Sequence, residues 1–395
     1  MQDVTFPVGF TAWGLAAGIK KNGKPDLGVL VSNPPAQAFA AFTRNAVKAA
    51  PVLFDQKVSD SGARVSHVLV NSGNANACTG DRGYADVESE VAALREAAKP
   101  AGAVMVSSTG VIGEYLPMEK VKAGIARLFD AGAHSSRSPF VHAIMTTDTF
   151  EKRAERSVKV DGREVRLGGV AKGAGMIRPN MATMLAYLST DVGLDASYRP
   201  AFLAAVEKSF NSISVDGDMS TNDTCLLLAN GASGVGYAAL SADGRRAFDQ
   251  ALQGLMEELA KLIIRDGEGA TKLVTIDAVG ARSDADAKKV CQAIANSPLV
   301  KTAFFGGDAN WGRVLAAAGY SGAELVPAKT SLEFCGVKVL ENGGRADYRE
   351  ADVAGRMREK DVSVRIDLGL GSGSWRYWTC DFSYDYVKIN ADYRT

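Results

Sequence analysis

At 395 residues the chain can bury a large core and has the length of two or three domains. Its 46% hydrophobic and 23% charged residues are ordinary for a soluble globular enzyme. Lys+Arg and Asp+Glu balance at 45 each, so composition supplies no drive toward nucleic acid or an anionic membrane.

The N-terminus, Met1 to Pro7, lacks the charged and apolar regions of a signal peptide, and no run of about eighteen apolar residues suggests a membrane span. The expectation is therefore a cytoplasmic protein. Five cysteines (Cys78, Cys225, Cys291, Cys335 and Cys380) are odd in number, far apart and never in C-x-x-C, and read as reduced, mostly buried thiols. His67, His134 and His142 form no ligand pair, so no metal site is expected.

Strand-like and helix-like segments alternate along the chain. His67 to Asn71 reads as a short strand, followed by a polar loop to Gly80. A helix runs from about Ala85 to Ala98, before Pro100. Ala103 to Val106 is a second strand, leading into the loop Ser107-Ser-Thr109-Gly110-Val-Ile-Gly113. Pro117 suits the first turn of a helix reaching about Phe129. Ser157 to Leu167 reads as a hairpin turning at Asp161-Gly162. Beyond a central glycine-rich segment, Met184 to Leu188 is a buried strand. Further on come a helix at 199–210, a strand at 225–228 and a long helix at 243–265. Strands are expected at 272–279 and 300–305 around a helix at 285–295, and a β-rich end contains strands at 362–368 and 376–382. Regular β-α-β units of one strand order are not evident, which favours mixed layered α/β over a doubly wound sheet. No linker marks a domain border.

The central segment, Lys172-Gly-Ala-Gly-Met-Ile-Arg-Pro-Asn-Met-Ala182-Thr183-Met-Leu185, delivers a hydroxyl residue to the mouth of a strand. Gly173 and Gly175 give freedom, and Pro179 forbids a regular helix. Spacing alone allows an ordinary turn with methionines as core filler. It also allows a self-cleaving threonine, in which Thr183 attacks the carbonyl of Ala182 and hydrolysis frees its α-amine. That amine, with an unperturbed pKa of roughly 7.7–8.0, is able to take the hydroxyl proton near neutral pH. Thr146-Thr147-Asp148-Thr149 clusters hydroxyls around a carboxylate, an arrangement commonly found in caps and turns. Asp266-Gly-Glu268-Gly-Ala-Thr-Lys272 lacks the spacing of a phosphate loop and follows a helix, so that reading is rejected.

The central segment resembles the processing site of the ornithine acetyltransferase (glutamate N-acetyltransferase) family of arginine biosynthesis, whose pattern is K-G-x-G-M-x-x-P-x-M-A-T-M-L. Every fixed position is present. The S-T-G-V-I-G, T-T-D-T, V-D-G-D-x-S-T-N-D and G-E-G-A-T-K segments match in order, and Asp308-Ala309-Asn310-Trp311-Gly312-Arg313 departs from D-P-N-W-G-R only at Ala309. The resemblance runs from Asn71 to Thr395. It implies the family's fold: layered mixed β-sheets packed between helices, self-cleaved between Ala182 and Thr183 into an α chain (1–182) and a β chain (183–395). These would assemble as an α2β2 heterotetramer.

The implied activity is acetyl transfer from N-acetylornithine to glutamate, by a ping-pong mechanism through acetyl-Thr183. By resemblance, Thr109 and Gly110 stabilise the oxyanion. Thr146 or Thr147, Lys172, Glu268, Asn390 and Thr395 bind substrate, with Glu268 suited to a cationic amine. No metal or other cofactor is implied, and acetyl-CoA stays open as a co-substrate. The alternative is an autoprocessed N-terminal-nucleophile amidohydrolase or aminopeptidase, which would pass its acyl group to water.

Overall fold

The computed structural model describes residues 3–132, 139–178 and 184–392. Among these residues, eight strands form a first sheet: β1 (Phe10–Leu15), β2 (Leu27–Phe42), β3 (Val65–Asn74), β4 (Ala103–Val111), β5 (Lys152–Val160), β6 (Arg163–Lys172), β7 (Leu185–Thr190) and β9 (Thr224–Ala229). Their order is β4-β3-β2-β9-β7-β6-β5, with β1 also on β2. The 16-residue β2 serves both halves, pairing with β3 through its first part and β9 through its second, with an irregularity between Val31 and Ala36. Val68 and Val70 of β3 share one apolar cluster with Tyr187 of β7 and Leu226 of β9, so the two halves pack on a common core.

The outer face of the β1–β4 half is covered by α2 (Gly80–Ala98) and α3 (Met118–Phe129), whose Val91, Leu94, Val121 and Ile125 meet Leu69 and Val104. The other half is covered by α5 (Arg199–Lys208) and α6 (Ala242–Arg265). Buried residues of α6 at 248, 252, 255, 256, 259, 260, 263 and 264 follow the helical repeat and make one broad apolar stripe. The Ser241 side chain caps its N-terminus by accepting from Gly244 N at 3.0 Å.

That stripe faces two sheets, since its cluster contains Ala154 and Leu167 of the first and Leu273 and Trp378 of the second. The second sheet comprises β8 (Ile213–Ser214), β10 (Leu273–Ala281), β11 (Ser331–Phe334), β12 (Val337–Glu341), β13 (Gly344–Arg345), β14 (Asp361–Asp367) and β15 (Gly373–Cys380), in the order β13-β12-β11-β14-β10-β15-β8. Its far face packs on α7 (Asp284–Ala295), α8 (Pro298–Gly306) and α9 (Trp311–Gly319). Three short helices complete the described chain: α1 (Ala50–Asp60) beside β4, α4 (Phe140–Ile144) against the first sheet, and α10 (Glu350–Ala354). A final helix, α11 (Tyr384–Asp392), ends it.

Three expectations need correction. Residues 300–305 are helical, not a strand. Ser297 accepts from Val300 N, Pro298 occupies the first turn, and Gly307 closes the helix at φ +69°. The polar segment 107–111 is no loop, because β4 continues through it beside β3. Likewise Asn71 to Asn74 belongs to β3 and not to a loop.

The division at 182/183 is not a border in space. Strand β7 lies between β6 and β9, and β9 pairs with β2, so segments from both sides of the division interleave in one sheet. A chain cut there remains joined by two strand–strand contacts.

Candidate active site

Strand β4 runs parallel to β3, with Ser72 opposite Thr109 and Gly73 opposite Gly110. The ladder is irregular at Gly73 and Asn74, where Gly110 adopts φ +136°. A Cβ on Gly110 would lie 2.3 Å from the carbonyl carbon of Gly73, so only glycine fits between the strands. Asn222 fastens this end from the other side, its amide donating to Ala75 O at 2.6 Å and Ser108 O at 2.8 Å.

Lys172 ends β6 and is 3% exposed, with Nζ 3.3 Å from the Thr109 hydroxyl. Burial pulls its pKa below the usual lysine value. The carboxylate of Asp148 is the strongest opposing influence, helped by Glu268 and Asp223, while the Lys152 cation adds to the lowering. Asp148 itself is buried, which alone would raise it. Lys172, Lys152 and the Gly173 N–H outweigh that and hold its carboxyl at about 2.

The turn after Lys172 receives Glu268. Glu268 N donates to Ala174 O at 2.8 Å, and a Cβ on Gly175 would lie 2.4 Å from Glu268 Oε2. Asn390 of α11 donates to the same oxygen at 3.0 Å. Gly269, at φ +70°, lets the helix come close, since a Cβ there would be 2.4 Å from Tyr386 N. Asp216 accepts from Met176 N and Ile177 N at 2.6 and 2.8 Å and so shapes the same turn. Burial raises Asp216 to about 6 against those hydrogen bonds.

These pieces enclose a cavity of about 260 Å³. It is lined by Thr109, Gly110, Thr146, Thr147, Lys172, Glu268 and Asn390, drawn from five separate segments of the chain. Both threonines of the Thr146–Thr147 pair reach it. Thr183, Ala182 and Thr395 lie outside the described residues. The chain is fixed directly after Thr183, where Met184 N donates to Asp223 Oδ1 at 3.1 Å and Met184 O accepts from Thr224 N at 3.1 Å. Asp223 is fully buried, which raises its carboxyl well above the ordinary range.

Sequence reasoning did not assign Asp216, Asn222 or Tyr386 to the cavity, although all three sit in or beside motifs already singled out. Lys152 had no motif around it. Among the described residues, no group of three or more His, Cys, Asp or Glu is arranged to hold a metal ion. No disulfide links the five cysteines; Cys225, Cys291 and Cys380 are buried, Cys335 is partly buried and Cys78 is exposed. No described helix is long and apolar enough to cross a membrane.

Comparison with known proteins gives one consistent answer. The model of the ArgJ family matches residues 11–395. The arginine biosynthesis bifunctional protein ArgJ of Geobacter sulfurreducens is 49% identical over 390 residues, covering 98% of this chain and 99% of that protein. The mitochondrial protein of the same name from Schizosaccharomyces pombe is 43% identical over 414 residues, covering 99% of this chain and 93% of its own. Among solved structures, the arginine biosynthesis bifunctional protein ArgJ of Bacillus halodurans is 38% identical with a TM-score of 0.51, covering 52% of this chain and 98% of the solved one.

Proposed function

The chain belongs to the ArgJ family, and we propose that it transfers the acetyl group of N-acetylornithine to glutamate, giving ornithine and N-acetylglutamate. The observation that carries the reading is the gathering of Thr109, Gly110, Lys172 and Glu268 around one cavity, next to the strand that begins just after Thr183.

Cleavage between Ala182 and Thr183 frees the Thr183 α-amine. That amine takes the proton of its own hydroxyl as the oxygen attacks the acetyl carbonyl. The oxyanion is met by the Thr109 hydroxyl and the Gly110 N–H. Lys172 Nζ donates to Thr109 Oγ1, which leaves the hydroxyl proton free to point at the developing charge. The proton then passes to the departing α-amine, ornithine leaves, and the acetyl ester remains on Thr183. Glutamate reverses the steps. The cationic Lys172 suits the substrate carboxylate, and Glu268 suits the side-chain ammonium of ornithine. Thr146 or Thr147, Asn390 and Thr395 complete substrate binding.

Neither metal nor other cofactor takes part in this scheme. We extend the proposal to acetyl-CoA as a second donor to the same threonine, to be checked by thiol release in the presence of glutamate.

The length relation to the Bacillus halodurans structure supports a cut chain, since half of this sequence accounts for nearly all of that one. The proposed assembly is a cytoplasmic α2β2 heterotetramer, so light scattering should return twice the 41.6 kDa of one precursor. Intact-mass measurement of the wild type beside Thr183→Ala should give two fragments in the first and one uncut, inactive chain in the second. Initial rates with acetylornithine and glutamate varied together should give parallel reciprocal plots. Intersecting plots would count against the acetyl-threonine intermediate, and rapid hydrolysis of acetylornithine indifferent to glutamate would turn the reading toward a hydrolase.

A further inference from the structure

A buried ion triad lies behind the cavity. The Lys152 side chain is fully buried, and its Nζ donates to Asp148 Oδ1 at 2.6 Å and to Asp266 Oδ2. Each carboxylate holds a segment that reaches the site. Asp148 Oδ1 also accepts from Gly173 N at 2.7 Å, in the turn directly after Lys172, and Oδ2 accepts from Thr146 N at 2.9 Å. Asp266 accepts from Thr149 N at 3.0 Å and from the Thr149 hydroxyl, and sits two residues before Glu268. The three segments that supply Thr146–Thr147, Lys172 and Glu268 thus meet at one ammonium group.

A buried cation facing two carboxylates is a poor way to gain stability, because desolvation cancels most of the attraction. It is a good way to fix geometry, since charge-assisted hydrogen bonds are short and directional. We propose that Lys152, Asp148 and Asp266 are positioning residues of the acetyl-transfer site: Lys152 ties the three substrate-binding segments together, and Asp148 supplies the counter-charge of Lys172. The proposal rests on the reading of Lys172 as a substrate ligand.

The charges acting most strongly on Lys172 are Asp148, Lys152, Glu268 and Asp223, with Lys20 also coupled to it. Asp148 binds the turn directly after Lys172, whereas Asp266 binds Thr149 and Lys152. The two jobs can therefore be separated. Asp148→Asn removes the principal opposite charge, so Lys172 should lose its proton earlier and the alkaline limb of kcat/KM should move down by about one pH unit. Lys152→Met combined with Asp266→Asn keeps the triad's net charge while deleting a like charge, so the same limb should move up. Asp266→Asn alone should move the limb less than Asp148→Asn does and raise KM for acetylornithine about tenfold, as expected for one lost hydrogen bond between charged partners.

All three profiles would be taken on cleaved protein with a cooperative melt. Limbs that stay put in both Asp148→Asn and the double variant, with activity merely reduced, would overturn the proposal and leave the triad a packing feature. A wild type that fails to transfer acetyl from acetylornithine to glutamate would instead remove the underlying reading. If the double variant does not fold, Asp148→Asn, which leaves Lys152 paired with Asp266, decides by itself.

Discussion

In the second sheet, β14 alternates exposed and buried positions, and Val362, Val364 and Ile366 join an apolar cluster with Phe334 and Val290. In the first sheet, β3, β4 and β6 are buried almost throughout, yet they finish in Asn71, Ser72, Thr109 and Lys172. Buried lysines differ in the same way. Lys301 in α8 donates to Thr379 Oγ1 and Cys380 O, and Lys272 donates to Phe304 O and Met357 O, which fastens backbone to backbone. Lys152 and Lys172 meet carboxylates and a hydroxyl beside a cavity. A strand end buried on both faces excludes water, strengthening each electrostatic contact and making an unpaired polar group costly. The first sheet has the character of a site, and the second that of its support.

Substitutions can break or sharpen that contrast. The largest effect on stability is expected in the support. Phe334→Ala should cost about 3–5 kcal/mol in urea or thermal unfolding, with kcat unchanged at temperatures where the variant is folded. A parallel fall in kcat would mean that the second sheet shapes the cavity. Thr109→Ala should do the reverse, lowering kcat about 10²–10³-fold, roughly 2.7–4 kcal/mol of barrier, while the melting temperature hardly moves.

Burial is not reserved for the cavity, and Glu90 in α2 gives a pH test of that. Both its carboxyl oxygens are buried with no hydrogen-bond partner among the described residues, and burial, then the neighbouring Asp86 charge, raises it to about 8. The unfolded chain releases this proton near the ordinary glutamate value. Between that pH and about 8 the native state therefore binds more protons, and stability falls as pH rises. Glu90→Gln should stabilise the protein little at pH 5 and by on the order of a few kcal/mol at pH 8. Equal effects at both pH values would place a hydrogen-bond donor on Glu90. The smallest effect should come from Ser241→Ala at the start of α6, a loss of about 1 kcal/mol in unfolding experiments with no change in KM.

Much of the site was legible because its residues fall in contiguous motifs. Thr109–Gly110, Thr146–Thr147, Lys172 and Glu268 were each singled out by the resemblance of a local segment to a family motif, and the long amphipathic α6 announced itself by its repeat. The apolar run at 300–305 reads as a strand, although Ser297, Pro298 and Gly307 carry the opposite signal. The extension of β4 through Thr109 was invisible because polar residues there are buried only by virtue of β3. Lys152 was missed for a related reason: one lysine in a strand has no pattern, and its partners lie four and 114 residues away.

The sequence by itself determined the alternation of strands and helices and the set of polar groups available for chemistry, which are written in local spacing, and pointed to the family through the resemblance of its motifs. Only the tertiary structure decided that β7 enters between β6 and β9, that Gly110 must lack a side chain to lie against Gly73, and that Asp148 and Asp266 share the Lys152 ammonium. These depend on backbone approach and charge proximity between residues remote in the chain, and proximity of that kind has no linear signature.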